Sequence, residues 1–471
     1  MTDLSPALDI SRRRGFLRGS TAGRLQRNLS GYAFGWPWFD GLSSWALRRF
    51  FFPSSRLWAA AQVANGSPER FYRAAGIERP AGDDRAIGKV LGRFENLRAR
   101  AAALEAEWQR VFFGPDDVPA AYRTAVEAAR FDASHEYNRA RRMFGRWLLK
   151  GVPPIRLETQ SPDEVAAIYG ESARDFLQRA APPTQLPAIE TSRIAPSTNG
   201  TDYWLRFKSP PARLGDTVFA RVYEPAGVSN PPTLIMGHGI CVDFEHWHGL
   251  IDEANTLRAA GFRVVRPEAP WHGRRTPVGT FGGERMVTTF PLALLDAFAG
   301  ALQEWAVLAD WARRTSRGPL AFGGTSLGAQ MAQLAADIAA NGPERLRPEG
   351  LFLVTHCGRM TDATLHGEMI HIFGTAHDVR AKGWTHESLE TVLGRLDPSP
   401  RAAMPAQRIV SVIGSRDRVT PFGCAVPLID AWDVPAANRF IWDRGHFSMP
   451  MTLIRNSRPV ARFREVMLGR A

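Results

Sequence analysis

The twelve residues from Leu320 to Met331 (Leu-Ala-Phe-Gly-Gly-Thr-Ser-Leu-Gly-Ala-Gln-Met) restrict this chain more than any other segment. An apolar run ends in Gly324-Thr325-Ser326-Leu327-Gly328, and an alanine-rich helical stretch follows at once. A strand that turns into a helix over so few residues leaves no room for side chains beside the turn, so small residues must flank its apex. The apex serine is held clear of the backbone at a helix N-terminus, where the helix dipole favours negative charge. A glycine-rich phosphate turn, or a plain tight turn, would also account for the pentapeptide taken alone. What surrounds it decides.

The texture after residue 200 is that of an α/β domain. Short apolar, β-branched runs alternate with helical stretches, which predicts a mostly parallel sheet. Eight strands are expected: Tyr203–Lys208, Thr217–Glu224, Thr233–Met236, Arg263–Arg266, Leu320–Gly323, Leu351–Thr355, Arg408–Ile413 and Arg439–Trp442, with the first two antiparallel. Helices are expected at Glu253–Ala260, Leu292–Arg313, Leu327–Ala340 and Met451–Leu468. The segment His356–Pro405 is too long for a plain connection and is expected to cap the site.

Residues 31–190 read differently, as helices. Leu91, Phe94, Leu97, Leu104 and Trp108 recur at helical spacing between Asp84 and Phe113, and a second helix is expected from Val118 to Lys150. Ser67-Pro68-Glu69 and Ser161-Pro162-Asp163-Glu164 mark helix starts. At 471 residues the chain exceeds what one core normally serves, and two units are expected, with a boundary near 190–200.

A serine hydroxyl is a weak nucleophile and needs a base within hydrogen-bond reach. His446 follows Gly445 just after the last expected strand. The base in turn needs an acid to fix its tautomer. Asp417 stands in the loop leaving the penultimate strand, and Asp443, three residues before His446, is the rival. Acyl transfer also needs two backbone donors for the oxyanion. The amide of Leu327 is one candidate. The other lies in Gly237-His238-Gly239-Ile240, with Ile240 preferred and Cys241 as the alternative.

Taken together, these motifs resemble the alpha/beta-hydrolase superfamily over residues 200 to 471, in the chain order nucleophile, acid, base that the fold requires. The resemblance implies an eight-stranded, mostly parallel sheet and acyl transfer through Ser326, Asp417 and His446, without a cofactor or a metal. A carboxylic ester or thioester is the expected substrate; an acyltransferase, a peptidase or a non-catalytic binding protein of the same fold are the alternatives. His238, Trp271 and His272 are expected in the pocket wall, and Trp247, Trp271, Phe281 and Met286 would suit an apolar acyl group.

Charge and cysteines bound the remaining possibilities. Of the net +12, the segment up to Lys150 carries +10, so the hydrolase-like part is close to neutral. No nucleic-acid recognition motif accompanies that charge. Contact with an anionic membrane surface is the competing reading, because Trp36, Trp38, Phe39, Trp45, Phe50 and Trp58 lie among arginines. No stretch of about 18 or more residues reads as apolar enough to span a bilayer. Arg13-Arg14 resembles an export motif, but the residues after it are too polar for an apolar core, and residues 1–30 read as a basic mobile tail of a cytoplasmic protein. Cys241, Cys357 and Cys424 are far apart, odd in number and without a CxxC pair, which argues against a disulfide framework or a zinc ribbon and fits a reducing compartment.

Overall fold

Residues 38–469, except 153–154, 156, 198, 243–252 and 374–375, are described by a computed structural model. The Arg13-Arg14 motif, the expected tail, Trp36 and Trp247 lie outside the described residues.

Among the described residues ten strands, not eight, form one mixed sheet. At one edge β1 (Glu190–Thr191), β2 (Ala195–Ser197), β3 (Gly200–Lys208) and β4 (Thr217–Pro225) pair antiparallel. The rest, β5 (Thr233–Gly237), β6 (Arg263–Pro267), β7 (Leu320–Thr325), β8 (Gly350–Val354), β9 (Ile409–Gly414) and β10 (Arg439–Trp442), run parallel to one another. The order is β1-β3-β4-β6-β5-β7-β8-β9-β10, with β2 beside β3. The two unexpected strands are edge pieces of two and three residues, too short to leave a hydrophobic period in the sequence.

Among the described residues seven α-helices precede the sheet: α1 (Trp38–Ala46), α2 (Phe52–Ala64), α3 (Pro68–Ala75), α4 (Asp84–Phe113), α5 (Ala120–Arg139), α6 (Pro162–Tyr169) and α7 (Ala173–Ala180). Between and after the strands come α8 (Glu253–Ala259), α9 (Glu284–Thr288), α10 (Leu292–Thr315), α11 (Leu327–Ala340), α12 (Glu368–Phe373), α13 (Ala376–Ala381), α14 (His386–Leu393), α15 (Phe422–Ala431), α16 (Ser448–Arg455) and α17 (Arg458–Met467). The expected helix Val118–Lys150 tightens into a 3₁₀ stretch after Arg139. The expected last helix is two, because Pro459 starts the second at its first turn.

Strand side chains alternate between two faces. Leu234 and Met236, Phe352 and Val354, and Val410 and Val412 pack with Leu257, Met449 and Phe463 of α8, α16 and α17. Ile235, Leu351, Leu353 and Ile409 face the other way, against Phe298, Leu302, Trp305 and Met331 of α10 and α11. A parallel sheet covered on both sides needs such apolar runs. Its core also corrects one expectation: α10 is long and apolar enough to span a bilayer by length and composition, and 89% of its most apolar window is buried inside the protein.

The N-terminal helices enclose Leu57, Phe71, Leu91 and Phe94, and that core continues into the rest of the chain. Phe52 of α2 meets Phe281 at 5.7 Å and Phe373 of α12 at 5.0 Å between ring centroids. At the far end of α4, Trp108 packs edge-on to Trp204 of β3. Cys357 and Cys424 form a disulfide with 5.5 Å between their Cα atoms, contrary to the argument against disulfides from their number and spacing, and Cys241 is free. This strand order, with a helix-flanked parallel sheet and a sharp turn after its central β7, is the alpha/beta-hydrolase fold.

Candidate active site

The carboxyl ends of β7, β9 and β10 converge, and the loops leaving them carry Ser326, Asp417 and His446. Open α/β sheets gather their sites at this edge. Ser326 sits at φ 57° and ψ −118°, a conformation side chains avoid unless the surroundings impose it. The imposition is visible at the two flanking glycines: a Cβ on Gly324 would lie 2.3 Å from the Gly328 backbone, and one on Gly328 would lie 2.2 Å from that of Gly237.

His446 Nε2 lies 3.0 Å from Ser326 Oγ, and His446 Nδ1 lies 2.8 Å from Asp417 Oδ2. Asp417 is buried, and its Oδ1 accepts from the amides of Val419 and Thr420, each at 2.9 Å. Thr420 Oγ1 is 2.9 Å from Asp417 Oδ2. Nδ1–H donates to the Asp417 carboxylate, which leaves Nε2 to accept from the serine hydroxyl. Asp443, the rival acid, is exposed and ion-paired with Arg416, at 2.9 Å between its Oδ2 and Nη2.

The loop after β5 faces Ser326 through Ile240. The Cys241 amide donates to His272 Nε2 at 3.0 Å, and His272 Nδ1 donates to the Pro270 carbonyl at 2.9 Å. Cys241 is therefore committed to the framework. Among the described residues the Ile240 and Leu327 amides have no such partner. His238 accepts from the Ala269 amide at 3.1 Å, and its ring lies 4.9 Å from that of His272. These two histidines are nearly inaccessible and brace the loop from behind. Trp271 is buried in the core with Arg285 over its ring. None of the three lines the cavity at Ser326, so the expectation of His238, Trp271 and His272 in the pocket wall is corrected: they lie behind that wall. Phe281 is absent from that lining too and packs against Phe52, whereas Met286 does face the cavity.

That cavity has a volume of about 380 Å³ and contains Ser326 and Leu327 in its wall. Met286, Phe290 and Leu294 supply one side, and Met360, Met369, Phe373 and Leu389 of the 356–405 segment supply the other. The segment is pinned at several points. Asp397 accepts from the Met360 amide at 2.5 Å, Asp337 from the Ser399 amide at 2.7 Å, and Gln330 donates to the Leu396 carbonyl at 2.9 Å. Burial pushes the Asp337 carboxyl up to about 7 and that of Asp397 to about 6. Burial also lowers His356, beside Ser411, to about 4.

One contact left no signal in the sequence. The Asp40 carboxylate, from α1, accepts from the Phe447 and Ser448 amides at 2.6 and 3.3 Å and from Ser448 Oγ at 2.6 Å. It caps α16 from across the molecule, one residue beyond His446. Gly445 leaves the space, since a Cβ there would lie 2.4 Å from the Asp40 carboxyl carbon.

No family model matches the chain, and no curated protein matches it. Among solved structures it is similar to acetyl xylan esterase 1 from Thermoanaerobacterium sp., at 16% identity over 62% of this chain and 98% of the other, with a TM-score of 0.41. It is also similar to the Pyrobaculum calidifontis esterase, at 15% identity over 66% and 94% with a TM-score of 0.38. The acetyl xylan esterase from Paenibacillus sp. R4 is similar at 15% identity over 65% and 96%, again with a TM-score of 0.38.

Proposed function

We propose that this chain hydrolyses carboxylic esters or thioesters with an apolar acyl group, through an acyl-serine intermediate on Ser326. The observation that carries the reading is the run of short contacts Ser326–His446–Asp417 at the wall of an apolar cavity.

His446 Nε2 takes the Ser326 proton as Oγ attacks the carbonyl carbon. The oxygen that becomes negative sits between the Leu327 and Ile240 amides, and the α11 dipole adds to them. Asp417 keeps the proton on Nδ1 and stabilises the imidazolium. Collapse of the intermediate expels the alcohol or thiol, which takes the proton from Nε2. Water, deprotonated by the same nitrogen, then releases the acid and restores Ser326. His238 and His272 hold the Ile240 loop in place without meeting substrate.

Purified protein with p-nitrophenyl esters of two to twelve acyl carbons tests the substrate class. Turnover should rise with chain length until the cavity is filled. A rate independent of acyl length, or one unchanged in Ser326→Ala, would overturn the reading.

A further inference from the structure

Two faces of α1 follow the same spacing in opposite directions. Asp40 and Ser44 face inward. Trp38, Leu42 and Trp45, at i, i+4 and i+7, face outward and are 54%, 46% and 56% exposed. Phe50, 44% exposed, adds to the outer face and meets Trp45 edge-on. No other tryptophan or phenylalanine among the described residues is comparably exposed. A cluster of large apolar side chains in water needs something to cover it.

The charge around this face selects the partner. Arg48 and Arg49 are exposed beside Phe50, and Arg139 and Arg142 are exposed in the cleft that Phe50 lines. The carboxylates of that cleft, Glu105 and Glu268, are ion-paired with Arg274. Asp40, the one acid in α1, is turned to the Ser448 turn. The first 37 residues add six arginines against two aspartates. Tryptophans set among arginines suit the headgroup layer of a lipid surface, where rings lie at the acyl boundary and guanidinium groups meet phosphate.

We propose that the outer face of α1 docks on an anionic phospholipid surface. Its position beside the site gives the docking a use. The helix packs against α12, whose Met369, Ile370 and Phe373 wall the cavity, and it is hydrogen-bonded to the residues after His446. Docking there would bring the lipid surface to within one helix, α12, of the cavity wall. The docking itself does not depend on Ser326 being a nucleophile.

Co-sedimentation of the full chain with vesicles tests this. Vesicles of phosphatidylcholine with 30 mol% phosphatidylglycerol, an arbitrary but roughly physiological anionic fraction, should bind the protein about tenfold more tightly than phosphatidylcholine alone. Trp38→Ala/Trp45→Ala/Phe50→Ala should weaken binding to both about tenfold or more, with turnover of a water-soluble acetyl ester unchanged. Arg48→Gln/Arg49→Gln, which changes two side chains at the surface and leaves every aromatic ring in place, should weaken binding to the anionic vesicles alone; it carries the test if the aromatic variant loses soluble turnover. Ser326→Ala should bind as the unaltered chain does, which separates this proposal from the hydrolase reading. Failure to sediment with anionic vesicles would overturn it. So would equal binding by the Arg48→Gln/Arg49→Gln variant, or a dimer in solution that the aromatic substitutions dissociate.

Discussion

Removing the Asp40 carboxylate is expected to slow turnover about tenfold although Asp40 touches no substrate. Its oxygens cap the first turn of α16 through two amides and a hydroxyl, immediately after His446. Loss of a helix-capping side chain costs about 0.5–2 kcal/mol, and hydrogen bonds to a charged group are worth roughly 1.5–3 kcal/mol each. If about 1.4 kcal/mol of that appears as displacement of the imidazole from its 3.0 Å contact with Ser326, the rate falls tenfold. In Asp40→Ala the loss should fall on kcat for a small soluble ester, with KM moving less than about twofold, because the binding cavity is untouched. Asp40→Asn keeps an acceptor oxygen towards the amides and should restore most of the rate. Steady-state kinetics at 25 °C on folded protein decides. A kcat in Asp40→Ala within twofold of the unaltered chain would refute the reasoning, and so would Asp40→Asn behaving like Asp40→Ala.

Other consequences can be checked separately. Asp337 holds its proton in the folded state up to about pH 7 and releases it near pH 4 when unfolded, so stability should fall as pH rises from 4 to 7 and then level off. Asp337→Asn should remove that slope and raise the urea midpoint at pH 8 by up to about 4 kcal/mol equivalent while leaving pH 4 unchanged; an equal difference at both pH values would refute it. Breaking the Cys357–Cys424 disulfide, which closes a loop of 67 residues, should cost about 2–4 kcal/mol, seen as a lower urea midpoint with dithiothreitol that Cys424→Ser shows without it. Leu389→Trp should lower kcat/KM for an octanoyl ester by about tenfold or more and leave an acetyl ester nearly unchanged, because the new ring fills the cavity rather than the space beside Ser326; an equal loss on both esters would contradict that placement.

The sequence carries those parts of the site whose constraints are local. The glycines around Ser326 are needed within a few residues of it, so the motif marks the turn that Gly324, Gly328 and Gly237 pack together. His446 and Asp417 each follow an apolar strand and could be assigned by order along the chain. The remainder depends on contacts between distant segments. Asp40 meets Ser448 across 408 residues, and its own neighbourhood is merely aromatic. Cys357 and Cys424 are paired by the approach of the 356–405 segment to α15, not by any spacing motif. His238 and His272 turn away from the cavity, and a loop histidine in the sequence gives no sign of which way its ring turns. The aromatic run Trp36–Trp58 shows no clean face when read as one segment. It divides only once the chain is coiled, with Phe52 and Trp58 inside and Trp38 and Trp45 outside.

The central claim is that Ser326 is a nucleophile activated by His446, and covalent labelling reads it directly. The intact protein is treated with a fluorophosphonate and the modified peptide is located by mass spectrometry. A single adduct on Ser326, abolished in Ser326→Ala and strongly slowed in His446→Ala, is the expected result. An adduct on another residue, or labelling that persists in Ser326→Ala, would contradict the claim.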